Sequence, residues 1–194
     1  MNDNIEVDKE YDSIEDKEIY EFGLSMLKTS IIGLIIALII CIITREIIYG
    51  MLIVVFLLPL RQNAGGFHLD SKYECLFVSF IIYFYLLMVT KYLQHSIIEI
   101  ILLYLLSLII ILCFAPVDSA NNKLEIKDIR AFRKRTMIII AIETVVFIIT
   151  LILNNKISII LSYDYLVCAL LVVFGKVKNI VVSEGKDEVQ SGNM

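Results

Sequence analysis

Runs built almost wholly of Ile, Leu, Val and Phe recur along this chain, at 31–43, 51–60 and 97–114 among other places. They are blocks, not stripes repeating every three to four residues, and a helix that is apolar all round belongs inside a large core or a bilayer. A soluble domain is about 45–50% apolar, whereas this chain is 59% hydrophobic with a mean hydropathy of +0.83. The blocks therefore read as membrane spans. A helix needs roughly 20 residues to cross the hydrocarbon core, which places six segments at 29–44, 47–60, 75–92, 96–115, 137–153 and 157–174. The expected fold class is all-α, a polytopic integral membrane protein. The second segment is short, about 21 Å at the helical rise, so it either tilts into the bundle or forms a shallow hairpin with the first.

Around these spans lie an acidic arm (1–28), a polar loop (61–75), a basic loop (116–136) and a tail (175–194); the transmembrane domain itself covers 29–174. The arm is not a cleavable signal peptide, because it is acidic where such a peptide is basic and then apolar. Lys and Arg divide unevenly between alternate ends of the spans. One end collects Lys9, Lys17, Lys28, Arg61, Lys72, Lys123, Lys127, Arg130, Arg133, Lys134, Arg135, Lys176, Lys178 and Lys186, and the other only Arg45, Lys91 and Lys156, fourteen against three of the 17. The positive-inside rule then makes both termini, the polar loop and the basic loop cytoplasmic. That parity survives if the first two segments form a hairpin.

The polar loop reads Arg-Gln-Asn-Ala-Gly-Gly-Phe-His-Leu-Asp-Ser-Lys-Tyr-Glu-Cys, from Arg61 to Cys75. Ser71 and Glu74 fit the S-x-x-E capping box that starts a helix, which puts Cys75 in the first turn of the third span. Free N–H groups and the positive end of the helix dipole favour a thiolate there. On a straight helix His68 would stand about 10 Å from Cys75 along the axis, but a chain that folds back at Gly65-Gly66 can bring the imidazole to the sulfur. A cysteine at a helix start with a histidine base is a nucleophile arrangement for acyl transfer. Spacing alone is equally compatible with an interfacial histidine and a plain turn. The other cysteines, Cys41, Cys113 and Cys168, lie in apolar blocks and show no CxxC or zinc spacing.

The stretch Arg61…Ala64-Gly65-Gly66-Phe67-His68…Ser71…Cys75 resembles the signature of the accessory gene regulator B (AgrB) family. Phe114-Ala115-Pro116-Val117-Asp118, followed by Asn122-Lys123-Leu124 and a basic run, is similar to the family's sequence after its fourth span; Leu124 stands where many members have proline. The resemblance implies a membrane cysteine endopeptidase that processes the AgrD quorum-sensing propeptide, with His68 and Cys75 as the catalytic pair and a homodimer as the assembly. Cys75 would cut off the propeptide's tail and hold the rest as a thioester, which a Cys or Ser of the peptide closes into a thiolactone or lactone. Arg61, Gly65, Gly66 and Ser71 are candidates for oxyanion or substrate support. Lys127, Arg130, Arg133, Lys134 and Arg135 are candidates for contact with an acidic tail, or for anchoring to anionic lipid.

Glu143 and Asp164 fall inside the fifth and sixth spans, about 16 and 14 Å from the intervening turn. They are expected in one layer, facing the bundle interior, where the plainest role is a structural pair. The rival class is a membrane peptide exporter without proteolytic activity, which would survive loss of Cys75. With two histidines on opposite sides and no HExxH, neither metal nor other cofactor is expected.

Overall fold

The computed structural model describes residues 24, 28, 31–66, 72–93, 95–117, 126–153 and 155–191. Among them are six helices: α1 (Ile31–Thr44), α2 (Ile47–Ala64), α3 (Lys72–Tyr92), α4 (Ile97–Phe114), α5 (Ile126–Leu153) and α6 (Asn155–Ser191). Five, α2 to α6, contain stretches long and apolar enough to cross a membrane, and α1 contributes a shorter apolar helix. The chain is an all-α, multi-pass membrane protein.

The apolar blocks lie within these helices, but the helices outrun them. α2 is 18 residues long, not a short segment ending at Leu60, and carries Arg61 in its last turn. The Asn63 side-chain amide donates to the Pro59 carbonyl at 2.8 Å, so the polar end of α2 stays helical. α5 begins at Ile126, which turns the second half of the expected basic loop, 126–136, into helix. α6 runs on to Ser191, so most of the expected tail is helix as well. The acidic arm falls outside the described residues apart from Leu24 and Lys28.

At one end of the bundle α1 stops in a Schellman arrangement, with Arg45 in the left-handed region at φ 59. Glu46 N–H donates to the Cys41 carbonyl at 3.1 Å and Arg45 N–H to Ile42 at 3.3 Å, satisfying two of the carbonyls a helix end leaves free. Lys91, from the end of α3, donates to the Thr44 carbonyl at 2.8 Å and pairs with Glu46 at 3.6 Å. Lys156, at the start of α6, stands over the Tyr49 ring at 5.2 Å. The three cations that the charge count set apart, Arg45, Lys91 and Lys156, thus gather at one end. At that end too, α4 opens with a capping box in which Glu99 N–H donates to Ser96 Oγ and Ser96 N–H to Glu99 Oε2.

α6 is the axis of the bundle. Of its most apolar window 61% is buried, against 22–28% for the other spans. One of its faces joins Leu60, Tyr104, Ile111, Ile140 and Phe147 of α2, α4 and α5; the other joins Ile40, Ile53, Tyr83 and Leu87 of α1, α2 and α3. Small side chains let α4 approach, as they do between membrane helices generally. Ser162 of α6 donates to the Ile100 carbonyl of α4 at 3.1 Å. The outer faces of α1 to α5 expose Ile43, Phe77, Ile98, Leu102 and Ile152, an apolar surface suited to lipid and ruinous in water.

Candidate active site

At the bundle end away from Lys91 and Lys156, the last turn of α2 meets the first turn of α3. Cys75 is the fourth residue of α3 and is half-buried. The Arg61 guanidinium reaches across from α2 and divides its donors. Nη2 points to Cys75 Sγ at 3.9 Å and Nη1 donates to Ser79 Oγ at 3.2 Å. Ser79 is one turn beyond Cys75 on the same face of α3, so the planar fork of arginine spans both groups. Cys75 therefore stands in the first turns of α3 with a guanidinium beside its sulfur.

The remaining cysteines have other surroundings. Cys41 Sγ lies 2.8 Å from the Tyr83 hydroxyl, Cys168 is fully buried in the core, and Cys113 is exposed on a span.

The turn after α2 is where two distant stretches of sequence meet. Gly65 has φ 70 and Gly66 φ 128, values that favour glycine. Val117 N–H donates to the Ala64 carbonyl at 3.1 Å, and Val117 forms an isolated parallel bridge with Gly65. Any side chain at Gly65 would strike the Val117 carbonyl oxygen, and a Cβ at Gly66 would stand 2.9 Å from the Leu171 carbonyl oxygen of α6. The Ala-Gly-Gly segment and the Ala-Pro-Val segment, the two parts of the chain that resemble family motifs, are thus one structural unit clamped between α2, α4 and α6.

His68 and Ser71 lie outside the described residues, as do Asp70 and the side chain of Lys127. The second histidine is remote. His95 follows α3, whose run from Cys75 to Tyr92 is about 26 Å long. There it lies between Glu99 at 3.3 Å and the Tyr163 hydroxyl at 3.0 Å. Among the described residues no three or more of His, Cys, Asp and Glu come together as a set that could hold a metal ion.

Arg130, Arg133, Lys134 and Arg135 are exposed along the first turns of α5, on a helix instead of a loop. At 3.6 residues per turn, positions 127, 130, 133 and 134 share one face. Arg135 is turned aside, over the Phe132 ring at 5.9 Å. Glu143 and Asp164 are both buried, at 5% and 0% exposure, and within electrostatic range of each other, as their depth from the α5–α6 turn anticipated. Sequence reasoning did not single out Ser79, whose place one turn after Cys75 was the available signal. It also passed over Ser96 and Glu99, an S-x-x-E pattern of the same kind as the one noted at Ser71.

No curated protein and no solved structure matches the chain. A family model does, over residues 1–178, which takes in every described helix except the end of α6. With that match spanning the Arg61–Cys75 site, the Gly65–Val117 clamp and all the apolar spans, the chain belongs to the accessory gene regulator B family, with a role in the processing of agr quorum-sensing peptides.

Proposed function

We propose that the chain is a membrane cysteine endopeptidase that removes the C-terminal tail of an AgrD-like propeptide and retains the remainder as a thioester on Cys75. The observation that carries this reading is the Arg61 guanidinium held on Cys75 Sγ at the start of α3. A free, half-buried cysteine with a cation and a helix N-terminus is arranged as a nucleophile, not as packing.

His68, the family's base, takes the thiol proton, and the sulfur adds to the scissile carbonyl. The oxyanion that forms is stabilised by N–H groups of the Gly65-Gly66 turn. As the C–N bond breaks, the imidazolium returns its proton to the leaving amine, and the tail departs with a free N-terminus. A thiol of the bound peptide, deprotonated by His68, then attacks the thioester and expels the Cys75 thiolate. Exchange of one thioester for another is nearly isoenergetic, so ring closure needs chiefly that the incoming sulfur be held near the acyl carbon. An imidazole that titrates near neutrality suits both proton transfers.

The fourteen-to-three distribution of Lys and Arg supports a cytoplasmic site and cytoplasmic termini in a bacterial cell membrane. The basic face of α5 would receive the acidic tail, and the working unit would be the homodimer the family implies. A propeptide whose ring-forming Cys is replaced by Ala tests the reaction. It should be cut and accumulate on Cys75 as a hydroxylamine-sensitive adduct, or leak to the linear acid. Release of the tail at the normal rate by a Cys75→Ala variant would reject the peptidase and leave the exporter reading.

A further inference from the structure

Among the described residues, five side-chain oxygens buried in the apolar bundle lack a well-formed hydrogen bond: Ser107 Oγ, Glu143 Oε2, both oxygens of Asp164 and the Tyr165 hydroxyl, which is close to Glu143 and Tyr104. They come from three packed helices. Glu143 and Asp164 lie about 16 and 14 Å from the α5–α6 turn at the helical rise, and so in one layer. Ser158 donates to Thr150 at 3.2 Å nearer that turn, which fixes the register of the two helices. Tyr104 of α4 enters the same layer, its ring 4.6 Å from that of Tyr165 and its hydroxyl 2.9 Å from Thr144. Ser107 is on the same face of α4, three residues further on.

Two carboxylates are seldom buried together for stability alone. Each ion carries a desolvation penalty of several kcal/mol in a dry interior, and like charges at close range oppose each other further. A protein cation would ordinarily neutralise them, yet among the described residues neither acid forms a salt bridge. The groups that face them are otherwise neutral or weakly acidic: Tyr83 from α3, with Cys41 of α1 behind it, Tyr104 from α4, and Tyr165 and Cys168 from α6 itself. The one cation near this region, Arg61 of α2, acts on Cys168 and is engaged with Ser79 and Cys75. Cys168, about 6 Å along α6 from Asp164 at the helical rise, is within electrostatic range of both acids and of Arg61. What this layer lacks is positive charge, and what it offers is oxygen; a single cation held between the two carboxylates would halve their charge.

We propose that Glu143 and Asp164, with the Tyr165 hydroxyl beside them, form a binding site for a single exchangeable monovalent cation, a proton or Na+, in the interior of the bundle. The site requires no peptide substrate.

The test uses a hydrophobic carbodiimide, which modifies a carboxyl in its protonated form, on the full-length protein in detergent. If the cation is a proton, Asp164 or Glu143 is labelled, and labelling falls about tenfold for each pH unit once the proton has been lost. If it is Na+, millimolar Na+ abolishes the labelling at fixed pH while K+ or choline does not. In parallel, the thermal unfolding midpoint of the wild type should fall as pH rises, or climb with Na+, because a ligand of the folded state alone stabilises it. The isosteric variants Glu143→Gln and Asp164→Asn should lose that dependence. Failure to label either carboxyl overturns the proposal, as does labelling that neither pH nor Na+ changes. So does an unfolding midpoint whose pH and Na+ dependence is the same in the wild type and both variants. None of these readouts involves peptide cleavage, so the result is independent of the peptidase reading.

Discussion

Replacing Arg61 by Met keeps a long apolar stem at the end of α2 and deletes the charge that reaches Cys75. With Nη2 at 3.9 Å from Sγ, the attraction between a guanidinium and a thiolate is about 1 kcal/mol if the pair behaves as in water and about 4 kcal/mol at the effective dielectric of a protein surface. Cys75 and Arg61 are both half-buried, so attack by the anionic sulfur should lose an amount of stabilisation between these limits. That corresponds to a fall of about fivefold to about a thousandfold in any rate that depends on negative charge carried by that sulfur. Arg61→Lys keeps the charge but cannot serve Cys75 and Ser79 together, and should lose about tenfold or less. The assay has two arms on protein confirmed to be membrane-inserted: alkylation of Cys75 by a small haloacetamide, and cleavage of the propeptide in vesicles. Both should fall together in Arg61→Met, partly recover in Arg61→Lys, and stay normal in Lys156→Met at the far end of the bundle. If Arg61→Met slows cleavage but leaves alkylation untouched, the guanidinium serves the substrate, and the thiolate reasoning is refuted.

Gly66→Ala forces a Cβ against the Leu171 carbonyl at a φ of 128; a strained position of this kind costs about 1–3 kcal/mol, and both the unfolding midpoint in detergent and the cleavage rate should drop. A Lys72→Cys variant in a background without the other accessible cysteines should resist a membrane-impermeant thiol reagent in intact cells; ready labelling would reverse the proposed orientation. Arg130→Glu combined with Arg133→Glu should impair processing of the native propeptide more than of one with a neutralised tail, and equal loss would assign the basic face of α5 to lipid.

Hydropathy located the spans because burial in a bilayer selects apolar side chains regardless of what the helices do beyond it. For the same reason it missed the helix ends. Arg61-Gln62-Asn63 look like a loop by polarity, yet they continue α2, and 126–136 and 175–191 are helical where only solubility was legible. Local patterns fared better when they carried their own geometry. The S-x-x-E at Ser71 lies partly outside the described residues, but the same pattern at Ser96 forms its box. The contacts that make the site were out of reach. Arg61 meets Ser79, and Gly65 meets Val117, only because α2, α3 and α4 pack around α6, and no spacing along one chain encodes those meetings.

The axial place of α6 also sets an order of biogenesis. Chains are made from the N-terminus, so α1 to α5 leave the ribosome before the helix that both halves of the core are built on. Until then Ser162 is missing beneath Ile100, Asp164 is missing beside Glu143, and the Gly66 turn has no Leu171 backbone to lie against. The Arg61–Cys75 pair is synthesised early, but the scaffold that fixes its surroundings comes late. A chain truncated before α6 should therefore lack the assembled site, and with it the proposed peptidase activity.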